Sequence, residues 1–125
     1  MSKALLIMAH GSRSETANDE FRALVEKVAE FARANGQEYA AVLPCFLELA
    51  KPSLIEAIQQ LEHQPVDTVQ LYPLFFNKGK HVGKDIPFQI DEARERFPEL
   101  QVEQLEYFGS AKGLAAFVLD HLSTL

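Results

Sequence analysis

Apolar residues follow two rhythms along this chain, and the two alternate. Residues 4–9 are unbroken apolar, Ala4-Leu5-Leu6-Ile7-Met8-Ala9. So short a run with no polar side suits a strand buried on both faces, as in a parallel sheet. From Thr16 or Asn18 to Asn35 the rhythm becomes helical: Phe21, Leu24, Val25, Val28, Phe31 and Ala32 recur on one face, and Asn35-Gly36 is a helix stop. Residues 38–45 read as a second strand centred on Val42 and Leu43, with a loop or short turn at 46–51. Pro52-Ser53 opens a second helix whose inner face is Leu54, Ile58 and Leu61, and Pro65 stops it. Residues 67–72 are a third strand, and 73–83 a long loop. A third helix spans 85–97, with Asp85 as its N-cap and Ile86, Ile90, Ala93 and Phe97 on one side. Residues 101–105 form a short, more polar strand, as at a sheet edge. A last helix runs from Ser110 or Ala111 to His121 and is expected to bury Leu114, Phe117, Val118 and Leu122.

Strand and helix alternate four times. That implies βαβ units with right-handed crossovers, hence a three-layer α/β domain with helices on both faces of a four-stranded parallel sheet. The expected strand order is 2-1-3-4, as in flavodoxin-like folds. In that order the chain reverses between strands one and three. The loops after those strands, residues 10–13 and 73–83, then face one crevice at the carboxyl edge of the sheet, where open α/β folds bind ligands.

The length, 125 residues, suits one domain, with no linker, repeat or low-complexity tract. A composition 47% hydrophobic and 24% charged is ample for a core. The net charge of -6 argues against nucleic acid or an anionic membrane as the main partner. The lone cysteine, Cys45, allows no internal disulfide and reads as a small buried residue in a reduced compartment. Lys3 is the only early cation and His10 interrupts the first apolar run, so the start does not read as a secretory signal. No stretch approaches the roughly 20 apolar residues of a membrane span. The expected location is the cytoplasm.

Two histidines fall at the crevice. His10 follows strand one, beside Gly11, and His81 lies between Gly79 and Gly83 after strand three. Either alone is an ordinary satisfied residue. Together at one sheet edge they form a candidate site, because imidazoles suit borderline divalent metals and, with an ordinary pKa of about 6.5, proton transfer near neutrality. Glu48, just past strand two, is a candidate third ligand or base, or a solvated loop glutamate. Residues 77–84 carry Lys78, Lys80 and Lys84 and no acid, a basic loop in an acidic protein that attracts an anionic substrate or is simply solvated. Ser12 and Arg13 are candidates for an anionic group, but Gly11 is a lone glycine, so this is no P-loop or dinucleotide fingerprint. Of Phe75 and Phe76, one packs inward and the other is free to cover a flat ligand or a subunit seam. His63 and His121 sit near helix ends, where a cation complements the dipole.

Three stretches carry a resemblance. Ala9-His10-Gly11-Ser12-Arg13, Phe46-Leu47-Glu48-Leu49-Ala50-Lys51-Pro52-Ser53-Leu54, and Leu71-Tyr72-Pro73-Leu74-Phe75-Phe76 with Gly79-Lys80-His81-Val82 and Asp85-Ile86-Pro87 resemble the short, CbiX-type sirohydrochlorin chelatases. These belong with the class II chelatases that include ferrochelatase. The resemblance implies that residues 1–125 are one chelatase-like domain, half of the larger two-unit members, working as a homodimer with a shared cleft. It implies insertion of a divalent metal substrate, Co²⁺ or else Fe²⁺ or Ni²⁺, into a tetrapyrrole for cobalamin or sirohaem biosynthesis, without an organic cofactor. His10 and His81 match the family's active-site histidines, and Glu48 matches its acidic position. Gly11, Ser12, Arg13, Phe76, Lys78, Lys80 and Lys84 then become tetrapyrrole-binding candidates. Cys45 stands where a small residue such as alanine is expected.

Two other readings use the same residues. A metal or tetrapyrrole carrier without turnover needs both histidines. A flavodoxin-like binder of a phosphorylated ligand uses Gly11-Ser12-Arg13 and gives His81 no role.

Overall fold

The computed structural model describes residues 2–125. Strand β1 is Lys3–Ala9, helix α1 Glu15–Ala34, β2 Ala41–Phe46, α2 Leu54–Gln59, β3 Thr68–Pro73, α3 Ile86–Arg96, β4 Gln101–Gln104 and α4 Leu114–Leu122. The four strands form one parallel sheet in the order β2-β1-β3-β4. The register pairs Ile7 with Pro44 on one side and Tyr72 on the other. The expected fold class and strand order are those observed.

β1 is central because it can be buried on both faces: Ala4, Leu5, Leu6, Ile7 and Met8 are all buried. Their alternation divides the core. Ala4, Leu6 and Met8 join Leu54 and Ile58 of α2 and Ile86, Ile90 and Ala93 of α3. Leu5 and Ile7 meet Phe21, Val25 and Val28 of α1 on the opposite face. Deleting a fully buried side chain such as Leu6 costs about 2–5 kcal/mol. Cys45 is buried in the larger core, and burial pushes its thiol pKa up. Among the described residues, no helix is long and apolar enough to cross a membrane.

Several boundaries differ from the sequence reading. Helix α1 begins earlier, at Glu15, because the Ser14 hydroxyl accepts a hydrogen bond from the Ala17 N–H and caps it. Its Leu24 and Phe31 are exposed and lie outside the core that α1 shares with β1. Strand β2 is shifted to Ala41–Phe46. Helix α2 starts after Ser53, which forms a capping box with Glu56, so Pro52 lies before the cap and not in the first turn. Asp85 is not an N-cap: it has helical dihedrals and makes no capping bond, because a π-helical turn, His81–Asp85, already leads into α3.

The largest difference is α4. The apolar spacing predicts burial of Leu114, Phe117, Val118 and Leu122, yet no residue of α4 is buried. Neither core contains an α4 residue. The helix leaves the sheet at its carboxyl edge instead of folding back on it.

Candidate functional site

The site is set by how the loop after β2 is laid on the loop after β1. Past the strand ends the Leu47 N–H donates to the Ala9 carbonyl at 2.9 Å, and the Glu48 N–H to the His10 carbonyl at 3.0 Å. Gly11 makes this possible. Its φ is +100°, and a β-carbon there would lie 1.8 Å from the Glu48 carbonyl oxygen. The two backbones therefore run in contact, and Glu48 Oε2 comes to 2.9 Å from His10 Nε2. His10 Nδ1 is 2.9 Å from the Gly11 carbonyl, which can only accept, so that nitrogen carries the proton of the bond. Nε2 then holds the lone pair of the neutral ring, or donates to Glu48 when the ring is protonated.

His81 arrives from the other side of the crevice. The Leu74 N–H donates to the Met8 carbonyl at 2.8 Å and carries the chain past the end of β3. The π-helical turn then begins at His81, whose carbonyl accepts from the Ile86 N–H five residues on. One turn later, Asp85 Oδ2 lies 2.8 Å from His81 Nδ1. A carboxylate on Nδ1 fixes the tautomer that leaves Nε2 with its lone pair, the arrangement seen at histidines that bind metals. The two imidazole rings stand with centroids 4.9 Å apart, inclined at 62°. Their side chains are 39% and 42% exposed, so both remain open to solvent.

His10, His81 and Glu48 are thus brought together as the sequence places them. Among the described residues no three His, Cys, Asp or Glu side chains form a ready-made metal cage. Asp85 is the residue that sequence reasoning missed; its signal was the i, i+4 spacing from His81, which any helical reading of that segment would have exposed. Phe75 packs on the core with its ring 6.2 Å from His81, whereas Phe76 is exposed against Phe108 at 5.6 Å. Lys78, Lys80, Lys84 and Arg13 are all exposed, and none has an ion-pair partner among the described residues. Ser12 is partly committed to the fold. Its N–H donates to Asn18 Oδ1 at 3.0 Å, and its hydroxyl accepts from the Ser14 N–H. Asn18, buried at the start of α1, returns a bond to the Ser12 carbonyl at 2.8 Å and so fixes the loop after His10.

Beside Glu48 and Asp85 opens a cleft of about 530 Å³ whose walls include Lys84, Phe88 and Gln89. Gln89 Nε2 donates to the Leu47 carbonyl at 3.1 Å and ties α3 to the Glu48 loop. Phe88 is 73% exposed on the cleft wall. It stands out of phase with the buried stripe of α3, the one mark by which the sequence singles it out.

The chain is similar to proteins of known name and structure. A sirohydrochlorin ferrochelatase of Priestia megaterium is 28% identical over 120 residues, covering 96% of this chain and 43% of its own. A sirohydrochlorin cobaltochelatase of Methanopyrus kandleri is 33% identical over 84 residues, covering 67% and 55%. This chain therefore spans about half the length of these two relatives. A sirohydrochlorin cobaltochelatase of Sulfurisphaera tokodaii is 31% identical over 93 residues, covering 72% of this chain and 69% of that one. Among solved structures, a CbiX protein from Marinobacter aquaeolei VT8 superposes with a TM-score of 0.81 at 26% identity, covering 98% of this chain and 95% of that one. The cobalt complex of the sirohydrochlorin chelatase SirB from Bacillus subtilis subspecies spizizenii shares the fold, with a TM-score of 0.83 at 24% identity over all of this chain and 51% of that one. The CbiX family model matches residues 4–125, and with it the chain belongs to the CbiX family.

Proposed function

We propose that this protein is a sirohydrochlorin chelatase, with His10 and His81 delivering a divalent metal to the macrocycle and accepting its protons. The observation that carries the reading is the facing pair of half-exposed imidazoles, 4.9 Å apart, each tied through Nδ1. Membership of a family whose curated relatives are named sirohydrochlorin ferrochelatases and cobaltochelatases supports it. The substrate ion is Co²⁺ or Fe²⁺, the metals of those names, with Ni²⁺ a further member of the same ligand preference.

Metal insertion must strip water from the ion and remove two pyrrole protons. Neutral imidazole nitrogens suit both tasks, since they hold a borderline metal and accept protons near neutrality. An incomplete ligand set is an advantage, because the metal has to leave for the tetrapyrrole. Glu48, against His10 Nε2 and 55% exposed, can take a proton from that ring toward solvent or add an oxygen ligand to the ion. The carboxylates of sirohydrochlorin give Arg13, Lys78, Lys80 and Lys84 charge-assisted partners at the rim, and Gly11 and Ser12 border the same edge. Exposed Phe76 offers a flat apolar face to the macrocycle. Residues 1–125 make one half-unit of the larger relatives' fold, and this unit works in the cytoplasm as a homodimer.

The test is to follow the absorbance of sirohydrochlorin with Co²⁺ at catalytic protein concentration. Many turnovers per protomer, faster than the uncatalysed reaction, are expected. Stoichiometric binding without acceleration would mark a carrier and overturn the proposal.

A further inference from the structure

His81, Asp85 and Gln89 follow one another at four-residue spacing along the π-helical turn and α3. Asp85 bonds His81 within that segment. Gln89 reaches out of it, and its Nε2 donates to the Leu47 carbonyl at 3.1 Å. That carbonyl belongs to the same peptide unit as the Glu48 N–H, which donates to the His10 carbonyl at 3.0 Å. One peptide plane is therefore gripped at both edges, by α3 at its oxygen and by the loop after β1 at its nitrogen. A peptide unit is rigid and planar, so two such bonds fix its orientation. The Glu48 side chain springs from the residue that completes this plane. The grip thus aims its carboxylate, which lies 2.9 Å from His10 Nε2.

The two ends of the Gln89 bond are unequal. The α3 end is a fixed post: Ile86, Ile90 and Ala93 are buried, and Gln104 Nε2, at the end of β4, donates to the Val82 carbonyl at 3.2 Å. At the other end the chain has neither helix nor strand from Leu47 to Ser53. Within that stretch Leu49 has a φ of +69°, a left-handed backbone that leucine rarely adopts, and its side chain is half exposed. Further on, the Arg22 guanidinium donates to the Lys51 carbonyl at 2.9 Å. Gln89 at the front and Arg22 at the back hold a loop that lacks secondary structure of its own.

We propose that Gln89 is a positioning residue for the metal-handling pair. It locks the Leu47–Glu48 peptide to the element that carries His81, and so sets where Glu48 and His10 stand relative to that ring. Gln89 acts through a backbone carbonyl and not on the reacting atoms. This role rests on the proposed function of His10, His81 and Glu48 and deepens it, by naming the link between the two sides of the crevice.

Two full-length variants test the link. Gln89→Met keeps the length of the side chain and removes the donor; Gln89→Glu keeps the shape and, when ionised, can only accept. Both are checked for native circular dichroism. Amide hydrogen exchange followed by NMR then reads the Glu48 N–H with neither metal nor macrocycle present. Exchange at Glu48 is expected to quicken about tenfold or more in both variants, with core amides such as Leu6 within about twofold of the wild type. Co²⁺ insertion into sirohydrochlorin is expected to lose about tenfold in kcat, with KM within about twofold. Glu48 exchange at the wild-type rate would overturn the link. An unchanged kcat beside faster exchange would overturn the positioning role. So would a rise in KM alone, which would make Gln89 a substrate contact on the cleft wall. A wild type that inserts no metal defeats the proposed function, and the exchange rates then decide the link by themselves.

Discussion

The carbonyl oxygen of Glu48 lies 1.8 Å from where a β-carbon on residue 11 would be. No side chain fits between these two backbones, and their contact is what holds the Glu48 carboxylate against His10. Gly11→Ala must push the two loops apart and also adopt a φ of +100°. A destabilisation of about 2–3 kcal/mol is expected from strain and clash together. Metal insertion should fall by about 10- to 100-fold, since small misplacements of catalytic groups are costly. Urea unfolding and Co²⁺ insertion rates measure the two effects; an unchanged rate would mean that the Glu48–His10 contact is not needed.

Asp85 acts on His81 through Nδ1, so its removal should change the tautomer of the ring before it changes the fold. Asp85→Ala is expected to lower metal affinity or turnover by about 10- to 100-fold. Nitrogen NMR of His81 supplies a readout that a merely structural role would not move: the variant should show mixed tautomers where the wild type shows the Nδ1–H form. Asp85→Glu, which keeps a carboxylate on the same helix face, should restore part of the activity.

The basic rim makes a different prediction. Replacing Lys78, Lys80 and Lys84 together by glutamine removes charges that have no ion-pair partner among the described residues. Stability should therefore stay within about 0.5 kcal/mol. KM for sirohydrochlorin should rise with kcat little changed, and the wild-type KM should rise with salt. A fall in kcat alone would assign these lysines to the chemistry.

Acid should loosen the two helix starts. The Asn18 and Arg22 side chains hold Glu15 below the ordinary glutamate value of 4.5, and the Ser53 N–H does the same for Glu56. A carboxyl with a lowered folded pKa favours the fold while it is ionised. Its contribution is complete above 4.5 and is lost as the pH falls below that through the folded value. Glu56→Gln should therefore lose stability near neutrality and show a shallower loss on acidification than the wild type. Urea midpoints at pH 7 and near pH 3.5 decide it; parallel curves would remove Glu56 from the acid response.

The sheet was legible because β1 is apolar on both faces and the elements alternate. That alternation placed His10 and His81 at one edge without any contact information. Two features were not legible. The π-helical turn at His81–Asp85 hides in a loop-like run of glycine and lysine, so Asp85 read as a cap. The apolar spacing of α4 predicts burial of Phe117, Val118 and Leu122, which the folded chain leaves exposed. A hydrophobic stripe fixes a face and leaves its partner open. The close approaches at Gly11 and Gly109 were equally silent, because a glycine shows its reason only when the opposing carbonyl is in place.

The most direct measurement is the rate of Co²⁺ insertion into sirohydrochlorin by His10→Ala and His81→Ala, each with native circular dichroism. If the two imidazoles carry the metal and the protons, each variant should lose about 10²- to 10⁴-fold in kcat, the usual weight of a positioned acid–base group. Insertion at the wild-type rate by both variants would contradict that role.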